Sequence, residues 1–274
     1  MWHVFGGSAR GRSHLASDSA CQDFSAWGAS GGALCIAIAD GAGSRAFSAQ
    51  GAKAAVETVL AWSKETFVGG KVTKSLDHAF AAAHARLVEL AAGDDASQHD
   101  FATTLAVAVI DSTSVRIGQL GDSIGVVARA SGVIEAVSPC PRSEYVNDTV
   151  FLTDDAWHVA LRTARFPVNS ITALSLSTDG LQFKILADVA QGIPYMPFFR
   201  DLFSWAAWAA PFRGSSDSLV QYLHELDDDQ SDDDKTLVVA VRTNPDGAEG
   251  NGRPGREHLQ SQARGPTTRW IIRP

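Results

Sequence analysis

A short apolar run that ends in an acidic residue and a glycine-rich turn constrains this chain more than any other feature. Residues 34–44 read Leu-Cys-Ile-Ala-Ile-Ala-Asp-Gly-Ala-Gly-Ser, so Asp40 directly follows a stretch that is typical of a buried strand. An unpaired carboxylate beside a core costs several kcal/mol or takes up a proton, so we expect Asp40 to meet a cation. Because Gly41 and Gly43 lack a Cβ, the backbone can approach an ion and offer a carbonyl oxygen to it.

The composition predicts one globular domain and argues against nucleic acids and membranes as partners. Of the 274 residues, 45% are hydrophobic and 20% are charged, which is enough to bury a sizeable core. The net charge of -8 opposes a nucleic-acid binder, and no apolar run approaches the length of a membrane span. We predict a domain over residues 1–243 and a flexible tail over residues 244–274, in which only residues 270–272, Trp-Ile-Ile, are suited to docking.

The cysteines indicate a reducing compartment. Cys21, Cys35 and Cys140 are too few and too scattered for a disulfide framework, and none has the Cys-x-x-Cys spacing of a zinc site. The N-terminus has no basic segment followed by an apolar one, as a secretory signal has. These observations predict a cytoplasmic protein.

The order of the predicted elements indicates antiparallel sheets with packing helices. Apolar spacing predicts helices over residues 47–67, 73–92, 194–210 and 217–226. Short runs separated by turn residues predict strands at 101–110, 115–120, 124–130, 133–137, 149–152, 157–162, 171–177 and 237–241. Residues 138–148 are polar and irregular, which predicts a surface flap.

Three further acidic sites lie at predicted strand ends. Asp122 occupies a tight turn between two strands, Asp179 closes a strand in Ser177-Thr-Asp-Gly180, and an acidic run from Asp232 to Asp234 precedes the last strand. One such acid would be a turn residue, but four suggest convergence on one site. A ligand set of oxygens alone, without His or Cys, selects hard cations such as Mg²⁺ or Mn²⁺, and paired ions of this kind recur in attack on phosphorus.

Six short motifs in this chain resemble those of one enzyme family in order and approximate spacing. They are Cys21-Gln-Asp23, Ala39-Asp-Gly-Ala-Gly-Ser44, Ala102-Thr-Thr-Leu105, Gly121-Asp-Ser123, Ser177-Thr-Asp-Gly-Leu181 and Asp233-Asp-Lys-Thr-Leu-Val-Val239. Together they resemble the metal-dependent Ser/Thr protein phosphatases of the PP2C (PPM) family, in particular its bacterial subgroup. The resemblance implies an α+β fold, a four-layer α-β-β-α sandwich around two antiparallel sheets.

The resemblance also implies a site of two Mn²⁺ or Mg²⁺ ions and a role for each acid. Asp40 would bridge both ions, the Gly41 carbonyl would bind one, and Asp179 with Asp233 would complete the other. Asp122 would help Asp179 to hold a third ion. The substrate would be a phosphoprotein, made by a cognate Ser/Thr kinase, and a hydroxide bridging the ions would attack its phosphorus.

Asp23 would position the attacking water in this scheme. The alternative, that Asp23 is an ordinary acidic residue where a strand meets a turn, is nearly as well supported by the sequence.

Two positions depart from the family pattern. Members carry an Arg five residues before the acid that matches Asp23, where it grips the substrate phosphate, but this chain has Asp18 there. Arg12 and His14 are the nearest candidates to replace it, although a surface or packing role fits each equally well. Eukaryotic members have a His where this chain has Ala42, so a metal-bound water would protonate the leaving group.

Three other functions compete with this interpretation. Residues 41–46 formally match a dinucleotide-binding fingerprint, but Asp40 would repel a pyrophosphate. Residues 121–125 spell the Gly-x-Ser-x-Gly nucleophile elbow, which requires a helix after Ser123 where a strand is predicted. The third is a catalytically impaired domain that binds phosphoproteins or partners, which Asp18 and Ala42 favour and the retained Asp40, Asp179 and Asp233 oppose.

Overall fold

A computed structural model describes residues 1–137, 149–210, 212–226 and 230–243. The predicted flap at 138–148, the predicted tail at 244–274 and Cys140 lie outside the described residues. The strands are β1 (Trp2–Ala9), β2 (Asp23–Ser30), β3 (Ala33–Asp40), β4 (Phe67–Val68), β5 (Lys71–Val72), β6 (Leu105–Ile110), β7 (Ser114–Leu120), β8 (Ile124–Arg129), β9 (Ile134–Ala136), β10 (Arg162–Pro167), β11 (Ile171–Ser177), β12 (Leu186–Asp188), β13 (Ile193–Pro194) and β14 (Lys235–Arg242). The helices are α1 (Arg12–Ala16), α2 (Ser48–Thr66), α3 (Leu76–Gly93), α4 (Trp157–Ala160), α5 (Gln182–Ile185), α6 (Met196–Ala209) and α7 (Ser215–Glu225), with 3-10 turns at Gln98–Phe101, Val168–Ser170 and Asp179–Leu181.

Two five-stranded antiparallel sheets form the centre of the fold. The first has the strand order β1-β14-β11-β8-β9, and the second has the order β10-β7-β6-β3-β2. Small ladders pair β4 with β5 and β12 with β13. Short turns join β2 to β3, β6 to β7 and β8 to β9 as antiparallel hairpins, whereas the consecutive strands β7 and β8 belong to different sheets.

Side-chain alternation along the strands builds three apolar layers. In β3, Ile36 and Ile38 belong to the core between the two sheets, whereas Cys35, Ala37 and Ala39 pack under α2 and α3. On the other side, α6 and α7 cover the first sheet with a separate core. The predicted α-β-β-α sandwich is therefore confirmed.

The helix predicted over residues 194–210 is confirmed as α6, and its phenylalanine residues face the core. In α6, Phe198, Phe199, Leu202 and Phe203 are buried against the first sheet. Within the described residues, no helix is both long and apolar enough to cross a membrane.

The predicted strands at 149–152 and 157–162 are wrong. Residues 149–156 lie in turns, and residues 157–160 form α4. The carboxylate of Asp154 accepts the Phe151 N–H and its carbonyl accepts the Trp157 N–H, so the chain reverses where the pattern indicated extension. The sequence also gave no indication of α1, because five residues are too few to show helical periodicity.

Candidate metal centre

The backbone of Asp40, the last residue of β3, is held by a two-threonine clamp. Its N–H donates to Thr104 Oγ1 at 3.0 Å, and its carbonyl accepts from Thr104 N at 2.8 Å and from Thr103 Oγ1 at 2.9 Å. The Ala102-Thr-Thr-Leu105 motif thus fixes where the Asp40 carboxylate lies. Gly41 continues this contact through an isolated bridge to Thr103.

Gly41 also needs its missing Cβ. A Cβ there would lie 2.6 Å from the Ser48 backbone at the start of α2, so only glycine lets the helix approach this closely. The helix is thereby packed against the strand end that carries Asp40.

Asp122 lies in the turn between β7 and β8. Gly121 has φ of +89°, and a Cβ there would overlap the Thr104 side chain at 2.5 Å, so the turn requires glycine. The turn is held from outside by Arg162, whose Nη2 donates to the Gly121 carbonyl at 2.8 Å. Thr149 Oγ1 donates to Asp122 Oδ2 at 2.8 Å and so orients the carboxylate.

Asp179 begins the 3-10 turn that follows β11. The adjacent Gly180 packs so closely on the segment before β14 that a Cβ would lie 1.8 Å from the Asp234 carbonyl oxygen. This close approach brings the Asp-Gly pair of β11 against the acidic run that precedes β14. The motifs are therefore joined by backbone packing as well as by their side chains.

The carboxylates of Asp40, Asp122 and Asp179 converge. Their nearest oxygens all lie within 4.8 Å of one another, which is the spacing of a group that shares a cation. The two sheets supply this trio jointly, since Asp40 and Asp122 follow strands of the second sheet and Asp179 follows a strand of the first.

Asp23, the first residue of β2, joins the two sheets beneath this trio. It is buried, and its Oδ2 accepts hydrogen bonds of 2.7 Å from Thr178 Oγ1 and from Thr236 Oγ1. Its Oδ1 is buried without a hydrogen-bond partner among the described residues. Burial raises the pKa of this carboxyl to about 8, although the two threonine hydrogen bonds oppose the shift.

A second cluster combines Asp233 and Asp234 with His14, all within 4.8 Å of one another. Asp233 is exposed, whereas Asp234 is buried and accepts the N–H groups of Gly11 at 2.7 Å and Gln22 at 2.6 Å. Nδ1 of His14 lies 2.8 Å from Asp234 Oδ1. Burial of the Asp234 carboxyl raises its pKa, but these hydrogen bonds outweigh burial and lower it overall.

No pattern in the sequence indicates a separate role for Asp234. In a run of three acids, nothing in the local pattern distinguishes the one that turns inward, because its partners Gly11 and Gln22 are more than two hundred residues away in sequence. The described geometry makes Asp234 the residue that ties the loop after β1 to the start of β14.

The remaining candidates lie at the rim of the site. Arg12 is half-exposed and its Nε donates to Asp232 Oδ1 at 2.9 Å, while His14 lies deeper, against Asp234. Asp18, which stands where the family pattern has Arg, has a fully exposed side chain and a left-handed backbone with φ of 52°.

Electrostatics link the acids into one site. Burial raises the pKa of Asp40 well above its usual range, and the carboxylates of Asp23, Asp179, Asp233 and Asp122 raise it further. Burial likewise raises the pKa of Asp233. A divalent cation would relieve this repulsion, and a donor set of carboxylate oxygens suits Mg²⁺ or Mn²⁺.

The geometry opposes two competing interpretations. After Ser123 the chain enters strand β8, so the strand-to-helix turn of a nucleophile elbow is absent at this described position. The turn after Asp40 has four mutually repelling carboxylates around it, which disfavours a bound pyrophosphate.

A known protein family and one known protein each match most of this chain in sequence. The family model for protein phosphatase 2C matches residues 10–226. Serine/threonine-protein phosphatase 3 of Escherichia coli (strain K12) is 28% identical over 255 residues, which covers 88% of this chain and 98% of that protein.

Solved structures share the fold at low sequence identity. A bacterial serine phosphatase superposes with a TM-score of 0.62 at 15% identity, covering 89% of this chain and 98% of that one. The catalytic domain of the serine/threonine protein phosphatase PstP, solved in complex with 2 manganese ions, superposes with a TM-score of 0.58 at 19% identity, covering 89% and 99%.

Proposed function

The chain belongs to the protein phosphatase 2C family, and we propose that it is a metal-dependent phosphatase acting on phosphoserine and phosphothreonine in proteins. The observation that carries the proposal is the convergence of Asp40, Asp122 and Asp179 within 4.8 Å, at the junction of the two sheets. A structural role alone gives no reason to gather like charges at one point, because each raises the free energy of the others.

We assign the ions to these carboxylates. Asp40, held in place by the Thr103 and Thr104 clamp, would contact both core ions, with the Gly41 carbonyl as a further ligand. Asp179 and Asp233 would complete the coordination, and Asp122 with Asp179 would hold a third ion. When bound there, Mn²⁺ or Mg²⁺ would supply Lewis acidity toward the phosphoryl oxygens and lower the pKa of the attacking water.

Asp23 would orient the attacking water. Thr178 and Thr236 occupy its Oδ2, which fixes the carboxyl group in one rotamer, and its Oδ1 keeps an acceptor position that is buried and unused by the described residues. A water molecule that donates to Oδ1 would be held at a constant place relative to Asp40, the cross-strand partner of Asp23.

His14 is better placed than Arg12 to meet the substrate phosphate. His14 lies within 4.8 Å of Asp233 and is held by Asp234, whereas Arg12 is anchored to Asp232 on the exposed side of the loop. An imidazolium at this point would offset the negative charge of an incoming phosphate group. The phosphoprotein itself would come from a Ser/Thr kinase.

The test is hydrolysis of p-nitrophenyl phosphate and of a phosphothreonine peptide with Mn²⁺, with Mg²⁺ and with EDTA. We expect activity with either ion and none in EDTA, with recovery when the metal is restored. Asp40→Asn should be inactive, while Asp155→Asn, which changes an exposed acid outside the site, should match the wild type. Equal activity with and without EDTA would contradict the proposal.

One observation favours a second candidate, a domain that binds phosphoproteins without turning them over. Asp18 stands where the family has a phosphate-gripping Arg, and it points to solvent. The same assay separates the two functions. A phosphopeptide that binds in the presence of Mn²⁺ but is not hydrolysed would favour the binding module.

A further inference from the structure

A surface cavity lies at the end of the first sheet that is remote from the acids. It has a volume of about 220 Å³ and opens between the start of β1 and the segment that joins α6 to α7. An engineered cavity of roughly 150 Å³ binds benzene, so this one can admit an aromatic ring. Its lining includes His3, Val4, Phe5, Ala210, Phe212 and Asp217.

One exposed aromatic side chain, Phe212, lines the cavity, and a second, Trp208, packs against it. Phe212 is 55% exposed and Trp208 is 52% exposed, and their rings lie 5.0 Å apart. Two neighbouring aromatic rings that remain exposed form an apolar patch of the kind that marks an interaction surface. The patch needs an occupant that offers apolar side chains.

Beside this cavity, at Trp2 and Val4, β1 has an edge that no other strand of the described residues pairs with. It is the outer strand of its sheet, and the Gly6 N–H points away from β14 to reach Ser216 Oγ at 3.3 Å. Because hydrogen-bonding directions alternate along an antiparallel strand, the N–H and C=O groups of Trp2 and Val4 also point away from β14. An extended segment can add to such an edge.

The chain itself supplies a segment of suitable chemistry close by. Thr243, the last described residue, exchanges two backbone hydrogen bonds with Met1, at 2.8 and 2.9 Å, so the described chain ends at the same end of β1 as the cavity. Residues 267–272 read Thr-Thr-Arg-Trp-Ile-Ile, which are residue types that favour strands. The 26 residues between Thr243 and Trp270 would span roughly 30 Å as a random coil, which is ample for Trp270 to reach the cavity.

The net charge of the C-terminal residues also favours residues 267–272 as the segment that binds there. Residues 244–274 contain five Arg and three acidic residues, so their net charge is +2. Because the whole chain has a net charge of -8, residues 1–243 have a net charge of -10. Arg269 and Arg273 flank the apolar triplet, and the exposed Asp217 lines the cavity. The positive charge of residues 244–274 is thus complementary to the negative charge of residues 1–243.

We propose that residues 267–272 bind along the open edge of β1 and place the Trp270 ring in this cavity. β1 spans eight residues, or about 25 Å, so the docked segment lies far from Gly11 and the acids at the other end of the strand. The segment therefore covers an apolar surface and leaves the proposed catalytic site open.

Hydrogen–deuterium exchange on the full chain tests the proposal. The amides of Trp2 and Val4 should exchange several-fold faster in Trp270→Ala than in the wild type, because the added strand is lost. Phe212→Ala should have the same effect from the cavity side. Leu259→Ala, which removes a large apolar side chain outside residues 267–272, should exchange like the wild type.

Two outcomes would overturn the proposal. One is identical exchange at Trp2 and Val4 in the wild type and in Trp270→Ala. The other is protection that appears only at protein concentrations where light scattering detects a dimer, since the occupant would then be a second copy of the chain.

Discussion

Asp23 lies directly opposite Asp40 in the register of β2 and β3, so two carboxylates form a cross-strand pair at the edge of the second sheet. Like charges directly opposite each other destabilise a sheet by up to about 1 kcal/mol. Here burial adds to the cost, because both groups have raised pKa values. The fold therefore keeps a pair that weakens it when no cation is bound.

The first prediction follows from this pair. Without metal, Asp23→Asn should be at least as stable as the wild type, because the amide oxygen can still accept from Thr178 and Thr236 and no carboxyl group has to be buried there. The gain in melting temperature on adding Mn²⁺ should be smaller in the variant than in the wild type, because the ion no longer has repulsion between Asp23 and Asp40 to relieve. Thermal melts with EDTA and with Mn²⁺ measure both effects. A variant that gains as much from Mn²⁺ as the wild type does would show that the bound ion relieves no repulsion between Asp23 and Asp40.

The second prediction separates Asp40 from Asp122. Asp40→Asn should lower kcat by about a thousandfold or more, because the ions that it holds supply several kcal/mol of transition-state stabilisation. Asp122→Asn should have the milder effect, since Thr149 can still orient the amide oxygen and only a third ion depends on it. Calorimetric titration with Mn²⁺ beside steady-state kinetics makes the comparison. If Asp40→Asn binds two Mn²⁺ ions with wild-type affinity, Asp40 does not bridge them.

The sequence predicted the layers of the fold because its strongest patterns are local. The run before Asp40 is apolar on both faces, and the structure buries it between α2 and the other sheet. The Asp-Gly and Asp-Ser pairs mark strand ends through the turn chemistry of their residues. Those two kinds of pattern together locate Asp40, Asp122 and Asp179.

The rest of the site depends on contacts between distant segments, which no local pattern encodes. Asp234 turns inward because Gly11 and Gln22 offer N–H groups to it, and Asp23 is buried because Thr178 and Thr236 approach from the other sheet. The α4 segment has no periodicity long enough to tell a single helical turn from a strand.

The third prediction concerns the substrate phosphate. His14→Ala should raise KM for a phosphopeptide while Mn²⁺ affinity stays close to that of the wild type, because a grip on the ground-state phosphate affects binding. Arg12→Ala should raise KM less, since its guanidinium is bound to the exposed Asp232. Steady-state kinetics on both variants gives the comparison. A fall in kcat with unchanged KM in His14→Ala would contradict the assignment.

The fourth prediction tests the backbone contact that joins the motifs. In Gly180→Ala the new Cβ would lie 1.8 Å from the Asp234 carbonyl oxygen, so the segment before β14 must shift. We expect a loss of about 1–3 kcal/mol in the free energy of unfolding, together with reduced activity. Gly93→Ala is the matched control, because a Cβ there meets nothing within 4 Å. Urea unfolding of the two variants decides the matter, and equal stability would show that this packing is less tight than described.

The last prediction concerns Asp111, which supports the opposite end of β6 from the site. Its side chain is buried, accepts hydrogen bonds from Thr113 and Ser114, and pairs with Arg116 Nη2 at 3.0 Å. Burial raises the pKa of this carboxyl, but the hydrogen bonds outweigh burial and lower the pKa to about 2. Since the pKa is lower in the folded than in the unfolded state, the ionised group stabilises the fold above about pH 4, and this contribution is lost as the pH falls towards 2.

Asp111→Asn should therefore lower the free energy of unfolding by about 2 kcal/mol at pH 7 and leave turnover of a small substrate unchanged. The difference from the wild type should shrink as the pH falls from about 4 to 2, because the wild type loses the charge there and the variant has none to lose. Urea unfolding across this range measures the difference, with Asp155→Asn as the exposed control that should match the wild type throughout. A stability difference that stays constant down to pH 2 would show that the charge of Asp111 is not what holds the turn.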